Sequence, residues 1–154
     1  MNDFYEKLVE LGLSLPDAPA PAANYIPYVV TGNLVFVSGQ ISIDVDGNLI
    51  TGKVGVDLDT EAGAKAAECC ALSLLAQVKA ACDGDIFRLK RVVKLTGFVN
   101  STPDYSEQPK VVNGASDLLV ALLGEAGRHS RSAVSAGALP LNVAVEIEGI
   151  FEIK

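Results

Sequence analysis

Histidine occurs once in these 154 residues, and cysteine three times. A lone imidazole cannot build a multi-histidine metal site, and neither a Cys-x-x-Cys nor a His-Glu-x-x-His spacing occurs, so no zinc or other metal is expected. Cys69, Cys70 and Cys82 fall in one predicted helix, where Cys69 and Cys82 would stand about 20 Å apart at 1.5 Å rise per residue, too far for a disulfide. They read as free, reduced thiols packed as small hydrophobes. Cations are scarce as well: 12 lysines and arginines against 19 aspartates and glutamates leave a formal charge of -7. That charge repels a phosphate backbone and disfavours nucleic acid as a partner. Neither a Gly-x-Gly-x-x-Gly turn nor a Gly-x-x-x-x-Gly-Lys loop appears, which removes the commonest nucleotide-binding signatures. Although mean hydropathy is +0.33, no run of about 18 uncharged apolar residues could span a bilayer. The opening "MNDFYEKLVELGL" has acidic residues where a signal peptide needs cations. A soluble, cytoplasmic protein is expected.

What is present fits one globular domain over residues 1–154: 49% of residues are hydrophobic against 20% charged, enough to bury a core. The apolar surplus also predicts surface covered by copies of the chain, hence a homo-oligomer. Residues 3–12 carry Phe4, Leu8, Val9 and Leu11 at roughly helical spacing before Gly12, a short helix with a glycine stop. "LPDAPAPAAN" has three prolines and no periodicity and reads as an extended connector. Tyr28–Thr31 and Leu34–Ser38 form a predicted hairpin around Gly32-Asn33, and a third short strand adjoins a turn at Asp46-Gly47. Thr60–Ala81 is the strongest helix, with Ala64, Ala67, Ala71, Leu74, Leu75 and Val78 on one stripe. "LKRVVKLTGFV" reads as a strand, "STPDYSEQPK" as a loop and residues 111–127 as a second amphipathic helix, before closing strands Ser132–Ala136 and Val143–Ile153. Hairpins at the ends and helical crossovers between them predict an α+β sandwich, a mixed sheet covered on one face by helices.

Chemistry concentrates in "GRHSRSAVSAGALPLNVAVEIEGI", residues 127–150. Arg131 at the start of a strand can hold a carboxylate through two parallel hydrogen bonds, which lysine cannot do. Arg128 and His129 read as loop cations complementing the dipole of the preceding helix. On the last strand, period two puts Val143, Val145, Ile147, Gly149 and Phe151 on one face, and Ala144, Glu146, Glu148 and Ile150 on the other. Neighbouring glutamates, if partly desolvated, repel and raise one pKa, which suits proton transfer; the alternative is a solvent-facing edge of paired charges. Gly39, after "VFVS", marks either a bulge or a close approach of backbone to ligand. Asn113 falls early in the second helix and could serve as a polar cap.

Two segments, "NYIPYVVTGNLVFVSGQI" and "RSAVSAGALPLNVAVEIEGI", resemble the signature regions of the Rid/YjgF family, the reactive-intermediate (enamine/imine) deaminases once labelled endoribonuclease L-PSP. The C-terminal pattern of the family, Arg-Ser, a short strand, Leu-Pro and Glu-x-Glu, falls on Arg131-Ser132, Leu139-Pro140 and Glu146-x-Glu148, and the similarity covers about residues 22–153. The resemblance implies a chorismate-mutase-like α+β fold assembled as a homotrimer, with ligand clefts between subunits. It places the carboxylate-binding arginine at Arg131, a water-positioning glutamate at Glu146, a pocket tyrosine at Tyr28 and a polar asparagine at Asn113. Ala133 occupies the position where many members have cysteine, a residue thought to contact ligand through its backbone. About four extra residues around "SEQPK" and about eleven at the N-terminus mark a divergent branch.

Two functions follow as expectations. One is hydrolytic deamination of an enamine or imine of a 2-amino acid to a 2-oxo acid and ammonia, with no cofactor, because the imine is already electrophilic. The other is a binding protein for a small carboxylate such as a 2-oxo acid, which needs Arg131 but has little use for Glu146. A ribonuclease conflicts with the net charge and the single histidine.

Overall fold

The computed structural model describes residues 3–21 and 23–154; Met1, Asn2 and Ala22, the last within the expected connector, lie outside the described residues. The elements in order are α1 (Phe4–Glu10), β1 (Tyr28–Thr31), β2 (Leu34–Ile41), α2 (Thr60–Ala81), β3 (Leu89–Asn100), α3 (Gln108–Leu123), β4 (Ser130–Ala136) and β5 (Val145–Ile153). The strands form one sheet in the order β1-β2-β5-β3-β4. All neighbours run antiparallel except β3 and β4, whose parallel pairing requires the crossover that α3 supplies. This is the expected α+β sandwich. Alternate residues of β5, Val145, Ile147, Gly149, Phe151 and Ile153, are buried beneath the helices, as the period-two reading predicts.

The hairpin turn at Gly32-Asn33 forms with Thr31 opposite Leu34, and Gly32 adopts φ +58°, a conformation open to glycine without steric cost. Among the described residues the expected third short strand does not form; Ile43 and Leu49 make only an isolated bridge. The Asp44 carboxylate accepts from the backbone N–H groups of Asp46 and Asn48, each at 2.9 Å, and this side-chain turn replaces ladder bonds a strand would have used.

Helix α2 is capped by Asp59, which accepts from the Ala62 N–H at 2.8 Å. It departs from the one-stripe reading: every residue from Cys70 to Val78 is buried, while Ala64 is only half-buried. The reason is tertiary. The sheet lies under α2, α3 beside it, and Leu13 and Leu15 of the connector pack against the same core. The side-chain amide of Gln77, buried in α2, donates to the Pro19 carbonyl at 2.6 Å, so the proline-rich connector is tied to the helix it covers. Cys82 lies just beyond α2 as its C-cap, and all three cysteines are free thiols, Cys69 half-buried and the other two buried.

Helix α3 begins at Gln108, with a proline in its first turn, where its missing N–H is no loss. It ends at Leu123, followed by a short 3-10 turn over Gly124–Gly127. Asn113 therefore lies inside the helix and not at its N-cap, which is Glu107. At Gly114 the helices α2 and α3 touch: a β-carbon there would stand 1.9 Å from the Ala64 carbonyl oxygen. That contact fixes where α3 lies along the sheet, and so where Asn113 stands relative to β4.

Candidate functional site

Arg131 lies on β4, level with Leu95 of β3, with its side chain on the helix-covered face. Its Nη1 donates to Asn113 Oδ1 at 2.9 Å and to Ser116 Oγ at 3.1 Å, and its Nη2 donates to the Pro109 carbonyl at 3.2 Å. Positions 109, 113 and 116 are spaced four and three apart, so one stripe of α3 receives the guanidinium. A guanidinium carries five N–H donors; with three committed, Nε–H and one Nη2–H are left for a ligand. Asn113 thus does meet Arg131, as a partner in one chain.

Glu146 is built differently. Between Val37 and Gln40 the register of β2 against β5 slips: three steps on β2 answer two on β5, a bulge at Ser38-Gly39. The Gln40 side-chain amide donates to the Ser38 carbonyl at 3.0 Å and pins it. Glu146 lies across this bulge, and a β-carbon on Gly39 would stand 2.3 Å from its Oε1. At Gly39 the structure has the bulge, with a carboxylate occupying the space a side chain would fill. Glu146 is half-buried and has no side-chain hydrogen-bond or ion-pair partner among the described residues. Burial raises its pKa above the ordinary carboxylate value, and the neighbouring Glu148 charge raises it further. Desolvation is therefore the larger cause, and like-charge repulsion the smaller. Glu148 is exposed and lines a groove of about 290 Å³ with Phe36, Ser38, Lys94, Thr96 and Ile150 on the face of the sheet that no helix covers.

Arg131 and Glu146 of one chain do not meet. Arg131 is level with Leu95, a core residue, whereas Glu146 is level with Phe98, out of phase with the core-facing Gly97 and Val99. The two side chains project from opposite faces of the sheet. Ala133, level with Gly97, shares the Arg131 face and packs against the core. Tyr28, opposite Val37, is half-buried against the core at the far end of the sheet.

The sequence reading does not include Ser116, and it gives His129 a looser role than its contacts show. Ser116 receives Arg131, and its spacing three residues after Asn113 is a legible signal. His129 lies in the loop as expected, with its Nδ1 2.6 Å from the Gly127 carbonyl at the end of the turn, but it is half-buried and its Nε2 also lies 2.9 Å from Ser116 Oγ. Period two from Arg131 would have put both on one face. Arg128 does behave as an exposed turn cation, with its Nε 3.0 Å from Glu125 Oε1.

Known proteins match this architecture along nearly its whole length. The family model described as "YjgF/chorismate mutase-like, putative endoribonuclease" matches residues 5–152. Protein TCP17 of Trypanosoma cruzi is 47% identical over 96% of this chain and 92% of its own. The crystal structure of the Agrobacterium tumefaciens protein Atu1372, of unknown function, superposes with a TM-score of 0.91 at 47% identity, covering 99% of this chain and 95% of that one. A 2-iminobutanoate/2-iminopropanoate deaminase of Dermatophagoides farinae is 28% identical over 92% of this chain and 95% of its own. On the strength of the sheet order, the signature segments and these matches, the chain belongs to the YjgF/chorismate-mutase-like (Rid/YjgF) family.

Proposed function

We propose that the protein is a hydrolytic deaminase of reactive 2-imino acids, working in a cleft between two copies of the chain. The observation that carries this reading is the half-buried Glu146 carboxylate, unpartnered among the described residues and with a raised pKa. A binding protein has no use for a proton acceptor held out of water, whereas general base work calls for one. In the reaction, the substrate R–C(=NH)–COO⁻ is held through its carboxylate by the free donors of Arg131. Glu146 accepts a proton from a water as it attacks C2 and returns that proton to the imine nitrogen, giving a carbinolamine; Glu146 then relays the carbinol hydroxyl proton to the amino group, which leaves as ammonia as the C2 carbonyl forms. Water is consumed, and the products are R–CO–COO⁻ and NH₃. No metal or cofactor takes part in this scheme.

Because the two side chains leave opposite faces of one sheet, a cleft using both takes Arg131 from one subunit and Glu146 from the next. The uncovered face supports such an assembly: Phe36 and Val134 are 41% and 45% exposed there, apolar side chains that a second copy could cover. A homotrimer satisfies the requirement with three equivalent clefts. Ribonuclease activity, which the family description names, fits poorly with a chain of net charge -7.

The deciding assay generates 2-imino acids of several sizes in situ from amino acids and follows ammonia and 2-oxo acid release above the spontaneous rate. Acceleration by the protein is expected. Tight 2-oxo acid binding with no acceleration would establish the binding-protein alternative. In sedimentation equilibrium at micromolar concentration a trimer is expected, and a monodisperse monomer would remove the cleft.

A further inference from the structure

We propose that Ser116 and His129 are positioning residues for Arg131, joined to it by a hydrogen-bond chain that runs in one direction only and ends on the Gly127 carbonyl. The proposal rests on the reading of Arg131 as the carboxylate holder. The direction follows from donor chemistry. A carbonyl oxygen only accepts, so at the 2.6 Å contact the Gly127 oxygen requires the proton on His129 Nδ1. In the neutral ring Nε2 is then a lone pair, and at 2.9 Å it takes the single hydroxyl proton of Ser116. With its proton committed, Ser116 Oγ presents a lone pair to Arg131 Nη1 at 3.1 Å. Every donor and acceptor is used once, in the order Arg131, Ser116, His129, Gly127.

Without His129 the hydroxyl could rotate and turn its proton against the guanidinium. With it, Ser116, Asn113 and the Pro109 carbonyl hold three of the five N–H groups of the guanidinium and leave Nε–H and one Nη2–H uncommitted. The anchor at the far end is rigid. Gly127 has no room for a side chain, since a β-carbon would stand 2.3 Å from the Leu119 carbonyl oxygen, so the turn that carries it is seated hard on α3.

The electrostatics agree with a neutral imidazole. Burial lowers the pKa of His129 below its ordinary value; the Gly127 hydrogen bond raises it in part, and the Arg131 charge lowers it further. The other charged groups on the surrounding elements act elsewhere. Asp117 of α3 is exposed, Glu125 and Arg128 pair with each other, and exposed Arg91 of β3 donates to the Arg128 carbonyl at 3.3 Å.

Because the chain has one histidine, its imidazole resonances report on this chain of bonds without ambiguity. Nitrogen-15 spectra of the full-length protein should show the Nδ1–H tautomer, and Arg131→Gln should raise the titration midpoint of His129. An Nε2–H tautomer, or a midpoint indifferent to Arg131, would overturn the proposal. In calorimetry, Ser116→Ala should weaken pyruvate binding about tenfold, the scale of one hydrogen bond to a charged group. It should leave the much weaker binding of pyruvamide unchanged, and Ser116→Thr should restore pyruvate affinity. His129→Phe, which keeps a ring but frees the hydroxyl, should weaken pyruvate in the same sense, and it stands in should Ser116→Ala fold poorly. Wild-type pyruvate affinity in a folded Ser116→Ala or His129→Phe variant would sink the positioning role. A wild type that binds no pyruvate would instead refute the carboxylate reading of Arg131, and the tautomer and the Arg131→Gln titration would still decide the hydrogen-bond chain.

Discussion

Glu146→Gln should lower the rate of imine hydrolysis by about a hundredfold or more, the usual scale of general acid–base assistance, while pyruvate binds with wild-type affinity. Glutamine keeps the shape that lies across Gly39 and removes only the proton acceptor, so binding and turnover come apart. The pH dependence carries a second signature. The base works ionised, and burial with the Glu148 charge places its pKa above the ordinary carboxylate value. The acid limb of kcat/KM should therefore fall at a pH higher than an ordinary glutamate would give, and the limb should vanish in Glu146→Gln. Stability moves the other way. A carboxyl whose pKa is raised on folding favours the native state in its protonated form, and that contribution is lost as pH rises through the raised value. At neutral pH the ionised Glu146 is thus a cost, and the glutamine variant should melt no lower than wild type. A variant as active as wild type, with the acid limb intact, would remove Glu146 from the chemistry. A site where the reactive group is destabilising and its neutral isostere is not is the pattern expected when activity is held at the expense of stability.

Most of the scaffold was legible because it rests on local rules. The Gly32-Asn33 turn, the alternation on β5 and the α2 helix each follow from residues a few positions apart, and each formed. What failed depended on distant partners. Cys70 to Val78 are buried all round because connector residues some sixty positions earlier cover α2, which no helical stripe encodes. Asn113 resembles a cap when the helix is started at residue 111, but a proline in the first turn opens it at Gln108. The pairing of Glu146 with Gly39 is a contact between β2 and β5, more than a hundred residues apart, and required the bulge to be seen. Arg131 and Glu146 were both picked out, fifteen positions apart, but that they leave opposite faces emerged only from the register of β3 between β4 and β5. His129 is two positions from Arg131, a parity visible in the sequence, whereas its contact with Ser116 depends on how α3 packs against β4.

Arg131→Lys should weaken pyruvate binding and imine hydrolysis together, by about tenfold at least and up to about a thousandfold. Lysine keeps one positive charge, so simple electrostatic attraction for a carboxylate survives. What it loses is the planar fork: three donors of Arg131 are spent on α3 and two remain, whereas an ammonium has three donors in all and no fixed plane. If it satisfies Asn113, Ser116 and the Pro109 carbonyl it has none left for substrate, and if it turns to the substrate it abandons the helix. Each charge-assisted hydrogen bond lost is worth about 1.5–3 kcal/mol, so one lost bond gives roughly the lower bound and two approach the upper. Because the carboxylate is gripped alike in ground and transition states, the loss should fall on affinity as much as on rate, in contrast to Glu146→Gln. Selectivity should collapse as well: the preference for pyruvate over pyruvamide, set by the two remaining donors, should shrink toward that of a bare charge. An Arg131→Lys variant that keeps both wild-type affinity and that preference would show that the guanidinium serves only to tie β4 to α3, and the carboxylate would then have to be held elsewhere in the cleft.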